Sequence, residues 1–290
     1  MWLEIELERF AASRPGQFVQ VLCRDETAPA PHFANVNDES WTPSDPAFHA
    51  RGAFLRRPFS IAARHDAGTR TRISLISRSV GPGTRRLERI QRGDSLNVTG
   101  PLGTPFKHVG DEAPVLLVGG GVGIPPLIYL ARQLAERRGV DLTAIFAART
   151  RDLLPIALRS DPQTDGCATP CLALAGLESV PAIIATDDGS LGMRGVATAA
   201  IEGWRASRGA AGARPVICAC GPDAMLRGVA RIAARLDCAC QLCIERMMGC
   251  GFGTCLSCVV RVREPNAGGT RWALACVEGP VFDAETLVDY

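Results

Sequence analysis

Apolar positions along the first hundred or so residues alternate with polar ones over short spans. Phe18-Val19-Gln20-Val21-Leu22 and Ile73-Ser74-Leu75-Ile76 are runs of that kind. Pro15-Gly16, Gly81-Pro82-Gly83, Gly93-Asp94 and Gly100-Pro101 punctuate the stretch as turns. No helical period competes there, so the pattern predicts a small antiparallel β-barrel over residues 1–110. Residues 35–50, rich in Asn, Asp, Ser, Pro and His, read as a loop insertion.

The pattern changes near Asp111. Pro114-Val115-Leu116-Leu117-Val118 is a continuous apolar run, as a buried parallel strand requires. Glycines 119, 120, 121 and 123 and Pro125-Pro126 follow. Leu127, Leu130, Ala131 and Leu134 then recur at helical spacing, closed by Arg137, Arg138 and Gly139. A second strand is expected over Leu142 to Ala148 and another over Val216 to Ala219. A helix holding Met225, Leu226, Val229 and Ala233 comes after the latter. Strands alternating with helices predict a doubly wound parallel sheet over 111–237. Residues 160–180 carry no regular pattern, and 238–290 form a small cysteine-rich third segment. The fold class is thus α/β plus β.

Composition narrows the function. Apolar residues make up 47% and charged residues 21% of the 290, which excludes a mainly disordered chain. A net charge of +2 implies no basic face for nucleic acid. No apolar run reaches the roughly 18 residues of a membrane span. The opening Met1-Trp2-Leu3-Glu4-Ile5-Glu6-Leu7-Glu8 alternates acidic and apolar residues, unlike a signal peptide. The expectation is a soluble, cytoplasmic protein with no membrane partner. Only four His are present, and no Ser/His/Asp set or paired carboxylates support a hydrolase.

Twelve cysteines are too few for a disulfide scaffold, and in a reducing compartment some become metal ligands. Cys250-x4-Cys255-x2-Cys258, then seventeen intervening residues and Cys276, is the plant-type ferredoxin spacing for a 2Fe-2S cluster. Gly249, Gly251 and Gly253 let the backbone curl and aim N–H groups at sulfur. A structural zinc site and inert buried thiols are the alternatives, although zinc usually takes two C-x2-C knuckles. Cys238, Cys240 and Cys243 read as core residues.

Gly119-Gly120-Gly121-Val122-Gly123-Ile124-Pro125-Pro126, between strand and helix, suits a pyrophosphate at a helix N-terminus. A tight structural turn is the alternative. Arg56-Arg57-Pro58-Phe59-Ser60 offers a guanidinium and a hydroxyl to a flavin phosphate, and Gly83-Thr84 adds donors; plain surface charge is the alternative. Cys220, in Cys220-Gly221-Pro222, falls at the carboxyl edge of a parallel sheet, where ligands bind, and is the candidate catalytic residue, or is simply core. Arg149 and Arg151 follow the second strand, where a 2′-phosphate would sit.

In this order, R-P-F-S, G-x-G-T, G-G-G-x-G-x-x-P and C-G-P resemble the ferredoxin–NADP reductase superfamily. Glu245-Arg246-Met247-Met248-Gly249-Cys250-Gly251-Phe252-Gly253-Thr254-Cys255 and Gly279-Pro280-Val281-Phe282-Asp283-Ala284 resemble the electron-transfer subunits of dihydroorotate dehydrogenase B, as does the turn Thr186-Asp187-Asp188-Gly189-Ser190-Leu191-Gly192. The resemblance implies FAD, a 2Fe-2S cluster and NAD. Electrons would pass from dihydroorotate, oxidised on an FMN-containing catalytic subunit, through the cluster and FAD to NAD, in pyrimidine biosynthesis. A heterotetramer is implied. FAD contacts carry over to Arg57, Pro58, Phe59, Ser60, Ile76, Ser77, Arg78, Gly83 and Thr84, and cluster ligands to Cys250, Cys255, Cys258 and Cys276. Ser77 departs from the family's usual aromatic residue. The rival readings are a subunit of a related complex, such as sulfide dehydrogenase or NADH-dependent ferredoxin–NADP oxidoreductase, and a zinc-stabilised interaction module.

Overall fold

The alternation in the first segment becomes antiparallel pairing. In the computed structural model, which describes residues 1–24, 55–109, 113–209, 213–264 and 268–290, five strands open the chain. They are β1 (Trp2–Glu8), β2 (Phe18–Val21), β3 (Arg57–Ala67), β4 (Arg70–Ile76) and β5 (Val98–Leu102), in the order β1-β4-β3-β2-β5. The 35–50 insertion lies outside the described residues. Long β3 pairs β2 through Arg57 to Ser60 and β4 from Ile61 onward, with a register shift between Ile61 and Ala63. Such irregularities bend a strand. Ile5, Val19, Val21, Ile61, Ile73 and Leu75 share one core with Leu87 of the short helix α1 (Pro82–Leu87), and Val98 of β5 packs against it. Side chains of all five strands meet there because the sheet curls, as a barrel does. On β1, Ile5 is buried while Glu4, Glu6 and Glu8 stay exposed, so the acidic–apolar alternation is one strand with one wet face.

The second sheet has seven strands in the order β14-β11-β10-β6-β7-β8-β9. These are β6 (Val115–Gly120), β7 (Leu142–Ala148), β8 (Ala182–Thr186), β9 (Met193–Arg194), β10 (Val216–Gly221), β11 (Cys240–Ile244) and β14 (Val281–Asp283). All pairs are parallel except β11–β14. β6 and β7 are buried along their whole length, which explains why they read as continuous apolar runs. Leu116 and Val118 face one core with Ile201 and Trp204 of α3 (Ala197–Ser207) and Leu226 and Val229 of α4 (Asp223–Leu236). Val115 and Leu117 face the other, with Leu127 and Leu130 of α2 (Ile124–Ala135). Helices therefore cover both faces, as the doubly wound reading expects. The stretch 160–180 is irregular, yet Cys171, Leu172, Leu174 and Leu177 are buried beneath α2. Among the described residues no helix is long and apolar enough to cross a membrane.

The cysteine-rich segment is not a separate appendage. β11 pairs with β10 and β14 closes the sheet, so an edge drawn after residue 237 runs through the sheet itself. Between them stand the cysteine loop and the hairpin β12 (Val259–Arg263) and β13 (Thr270–Leu274), whose Val260, Val262 and Ala273 join the α3–α4 core. The barrel docks on this segment. The Thr104 N–H donates to the Gly279 carbonyl at 2.6 Å, the Thr104 hydroxyl to the Glu278 carbonyl at 3.0 Å, and the Lys107 N–H to Gln241 Oε1 at 2.7 Å. Lys107 and Asp283 add an ion pair. Gly103 is at φ +77°, and a Cβ there would stand 2.6 Å from Pro280 Cδ and 2.8 Å from Phe18 Cε1. Gly103→Ala combines left-handed strain with overpacking and is expected to cost about 2–4 kcal/mol of stability. Urea unfolding followed by far-UV circular dichroism measures it, and an unchanged midpoint refutes the account of this seam.

Candidate functional site

The cysteine loop runs from the end of β11 to the start of β12, and Cys276 lies just past β13. Gly251 and Gly253 take φ +87° and +94°, and Leu256 takes φ +57°, a rare conformation for a side chain of its size. These left-handed residues turn the peptide N–H groups inward. The Cys250 N–H reaches Cys255 Sγ and the Cys255 N–H reaches Cys250 Sγ, both at 3.4 Å. The Ser257 hydroxyl lies 3.2 Å from Cys255 Sγ and accepts the Gly249 N–H at 3.0 Å. Cys258 and Cys276 are both buried, and the neighbouring Cys258 thiol helps to hold Cys276 above its ordinary value. The four thiols thus gather as two pairs. Among the described residues no three metal-ligating side chains converge as they would on a single ion. A mononuclear zinc site needs four ligands around one point. Two pairs suit two irons.

The electrostatics divide the same way. The Ser257 hydroxyl and then backbone N–H groups pull exposed Cys255 down to about 6. For Cys250 burial pushes upward, but the N–H groups of Cys255, Phe252 and Thr254 outweigh it and leave the thiol below its ordinary value. Burial, then the bond to Cys258, pushes Cys276 up to about 12. Cys250 and Cys255 are thus held below the ordinary thiol value and Cys276 above it, so a metal bound there would take the Cys276 proton. Around the loop, Met247, Phe252 and Leu256 are 88%, 56% and 61% exposed, so none is a core residue.

The flavin candidates lie on the barrel. Arg57, Pro58, Phe59 and Ser60 form the start of β3, Ile76 ends β4, and Ser77 and Arg78 follow it. Arg56 and Arg57 separate by their partners. Arg56 bonds to Asn97 Oδ1 at 2.5 Å and to the carbonyls of Asn97 and Gln20, a strap across the sheet. Arg57 is exposed, donates only to the carbonyls of Leu55 and Arg56, and pairs with no carboxylate among the described residues. Phe59 leans on the barrel core. Ser77 is buried, and its hydroxyl has no partner although its N–H and carbonyl both bond to Met1. A buried hydroxyl without a partner costs free energy that a ligand can return. Gly83 is buried in α1, and Thr84 caps that helix by accepting the N–H groups of Val80 and Gly81.

The glycine loop joins β6 to α2 through a single 3-10 turn, Gly121–Gly123. A Cβ would stand 2.9 Å from Ile124 at Gly119, 2.6 Å from Met225 Sδ at Gly120, and 2.3 Å from the Cys220 carbonyl oxygen at Gly123. Internal packing accounts for these three glycines. Gly121 differs: its φ is +52° and nothing lies within 4 Å of its would-be Cβ. Cys220 is fully enclosed between Gly119 of β6 and Cys243 of β11. The Cys243 thiol and burial hold its thiol well above the ordinary value, so it is protonated. Cys240 and Cys243 are buried strand residues and Cys238 is half-buried, in keeping with a core reading. Ser190 accepts the Arg151 N–H and donates to Asp188, so the Asp187–Leu191 turn braces the loop after β7.

Two features escaped the sequence. Gln20, between two core valines on β2, reads as an outward polar residue; its side chain is instead completely buried, and neither amide atom has a partner among the described residues. The Asp223–Arg246–Tyr290 cluster links the start of α4, the cysteine loop and the C-terminal residue. Nothing in the local pattern announces a contact across that separation.

Comparison with known proteins agrees with this geometry. A family model described as the iron–sulfur cluster binding domain of dihydroorotate dehydrogenase B matches residues 245–288. A dihydroorotate dehydrogenase B (NAD(+)) electron transfer subunit from Caldanaerobacter subterraneus subsp. tengcongensis is 30% identical over 274 residues, 94% of this chain and 87% of that protein. Its counterpart in Geobacillus thermodenitrificans is 36% identical over 247 residues, 82% of each. Among solved structures, one of an NADH-dependent reduced ferredoxin–NADP oxidoreductase superposes with a TM-score of 0.67 at 25% identity, covering 99% of this chain and 85% of that one. The FAD/NAD-binding domain of a nitric oxide dioxygenase from Vibrio cholerae gives 0.52 at 16% identity, covering 84% and 92%, and shows the shared fold alone. With its iron–sulfur segment, its flavin-reductase fold and relatives alike over nearly their whole length, this chain belongs to the family of dihydroorotate dehydrogenase B electron-transfer subunits.

Proposed function

We propose that Cys250, Cys255, Cys258 and Cys276 hold the 2Fe-2S cluster, that Arg57–Ser60, Ile76–Arg78 and Gly83–Thr84 hold FAD, and that Gly121 and the end of β10 at Cys220 receive NAD. The paired arrangement of the four thiols is the observation that carries this reading. Arg57 supplies the unpaired charge for the flavin phosphates and Ser77 an unsatisfied hydroxyl beside them. Bound there, the cluster supplies one-electron transfer and FAD joins it to two-electron exchange with the nicotinamide; the protein orients the groups. Cys220, enclosed and protonated, acts by packing Gly123 against the sheet edge rather than as a nucleophile.

The partner is an FMN-containing, dihydroorotate-oxidising subunit, in a heterotetramer serving pyrimidine biosynthesis. Exposed Met247, Phe252 and Leu256 around the cysteine loop form the apolar face on which it docks. None of the twelve cysteines is joined in a disulfide, in keeping with a cytoplasmic location.

Two substitutions test the placement of the cluster and the flavin. Cys255→Ser is expected to abolish the cluster, read by iron and labile sulfide, while FAD stays bound. Arg57→Ala is expected to weaken FAD roughly 10- to 100-fold and leave iron content unchanged, since a charge-assisted hydrogen bond is worth about 1.5–3 kcal/mol. Loss of both groups together from a folded variant refutes their separate placement.

The two outer glycines of the loop should part company. Gly123→Ala drives a Cβ onto the Cys220 carbonyl and is expected to lower the melting temperature. Gly121→Ala meets no atom; it should stay folded, carry about 1 kcal/mol of left-handed strain, and raise the KM for NADH. Equal effects on both measurements argue against a nucleotide at Gly121.

The chain without its partner is expected to reduce a dye with NADH and not with dihydroorotate. A catalytic barrel takes about 250 residues, and the described residues are already committed to two sheets and the cysteine segment. Steady-state turnover with each donor decides, and dihydroorotate-dependent reduction by this chain alone sinks the subunit reading.

A further inference from the structure

We propose that the side-chain amide of Gln20 hydrogen-bonds the polar edge of the bound flavin ring and sets that ring against the cluster loop. The inference rests on the flavin assignment above and deepens it. Gln20 is completely buried, and both Nε2 and Oε1 lack a partner among the described residues. A buried primary amide offers two donors and an acceptor, and leaving all of them empty is costly. Its position explains why it is retained. In the β2–β3 register Gln20 stands opposite Pro58, and Phe18 opposite Ser60. Directly opposed residues share a sheet face. Gln20 therefore lies on the Pro58–Ser60 face of the strand assigned to FAD, away from Val19 and Val21 in the barrel core.

On its other side the amide abuts the cysteine loop. A Cβ on Gly251 would fall 2.5 Å from Gln20 Nε2 and 2.7 Å from its Cγ, so the loop can close over Gln20 only because residue 251 has no side chain. Gly251 directly follows the cluster ligand Cys250. One buried side chain thus touches the loop of one redox group and shares a face with Pro58 and Ser60 of the segment assigned to the other. Its chemistry chooses between them. Cluster sulfides only accept hydrogen bonds and would leave Oε1 empty. A flavin edge carries carbonyls and an N–H, and satisfies donor and acceptor together. Gln20 is a positioning residue in this account.

The test is Gln20→Leu in the full chain, loaded with both groups. FAD affinity is measured by titration of flavin-stripped protein, the flavin midpoint potential by redox titration, and the reduced cluster by electron paramagnetic resonance. The expected result is about tenfold weaker FAD binding, equivalent to about 1.4 kcal/mol, and a shifted flavin potential, with the cluster spectrum unchanged. A changed cluster spectrum with unchanged flavin overturns the proposal and assigns the amide to the cluster. No change in either overturns it in favour of an amide completed by trapped water. Loss of both groups from a folded protein makes Gln20 a general packing residue and also overturns it. Gln20→Met, unbranched and of similar length, is read identically if the leucine variant does not accumulate. If Arg57→Ala weakens FAD and neither Gln20 variant does, this inference alone fails; if Arg57→Ala has no effect, the flavin site itself is misplaced.

Discussion

Close backbone approach at a three-way seam is the constraint on which the remaining structure depends. The barrel, the parallel sheet and the cysteine loop meet where a side chain would collide. A Cβ at Gly16 would lie 2.7 Å from Val281 Cγ2, one at Gly103 2.6 Å from Pro280 Cδ, and one at Gly251 2.5 Å from Gln20 Nε2. The hydrogen bonds of Thr104 and Lys107 form only because that contact is made. Electron transfer falls steeply with distance, so a subunit that carries electrons has reason to close these gaps with backbone. The cysteine segment is correspondingly woven into the sheet by β11 and β14 rather than tethered to its end.

The thiols show the same division between enclosure and use. Cys218 is fully buried and burial pushes it up to about 12. Cys220 and Cys243 sit side by side on neighbouring strands. These groups are small apolar fillers beside glycine-rich strands, where a larger residue would meet the loop. Cys250 and Cys255 differ through their donors: N–H groups of the loop bent by left-handed Gly251, Gly253 and Leu256 reach both sulfurs, and the Ser257 hydroxyl reaches Cys255. That preorganisation lowers the cost of assembling the site. It also leaves Leu256 in a conformation a non-glycine residue resists, on an exposed face with Phe252 and Met247.

Legibility in the sequence follows range of interaction. The strand Val115–Val118, the helix after it and the C-x4-C-x2-C spacing are local, and each could be read from its own residues. The outline of the candidate site followed, because glycine, cysteine and arginine declare their chemistry in short motifs. The edge of the cysteine segment did not. Cys240–Ile244 is five residues that look like a loop rich in thiols, and its membership of the parallel sheet depends on β10, twenty residues earlier. The glycine loop was legible as a loop but not in all its reasons, since three of its glycines also answer to close packing on Ile124, Met225 and Cys220.

Gln20 marks the limit most sharply. In a strand with one buried face, a polar residue between two valines is assigned to water by period alone. The assignment fails here because the face opposite the barrel core is covered as well, by a loop more than two hundred residues away. A second cover turns an ordinary surface position into an enclosed polar one, and binary pattern has no way to distinguish them. Ser77, just past β4, is a related case: the family resemblance names it as a flavin contact, and only the fold shows its hydroxyl buried without a partner among the described residues. Both fall on the barrel, on or next to the strands assigned to the flavin. Polar groups left unsatisfied by the chain itself are where a bound group completes the structure. Gln20, unreadable from its own strand, and Ser77, named only through the family resemblance, are thus the residues whose burial points most directly to a ligand.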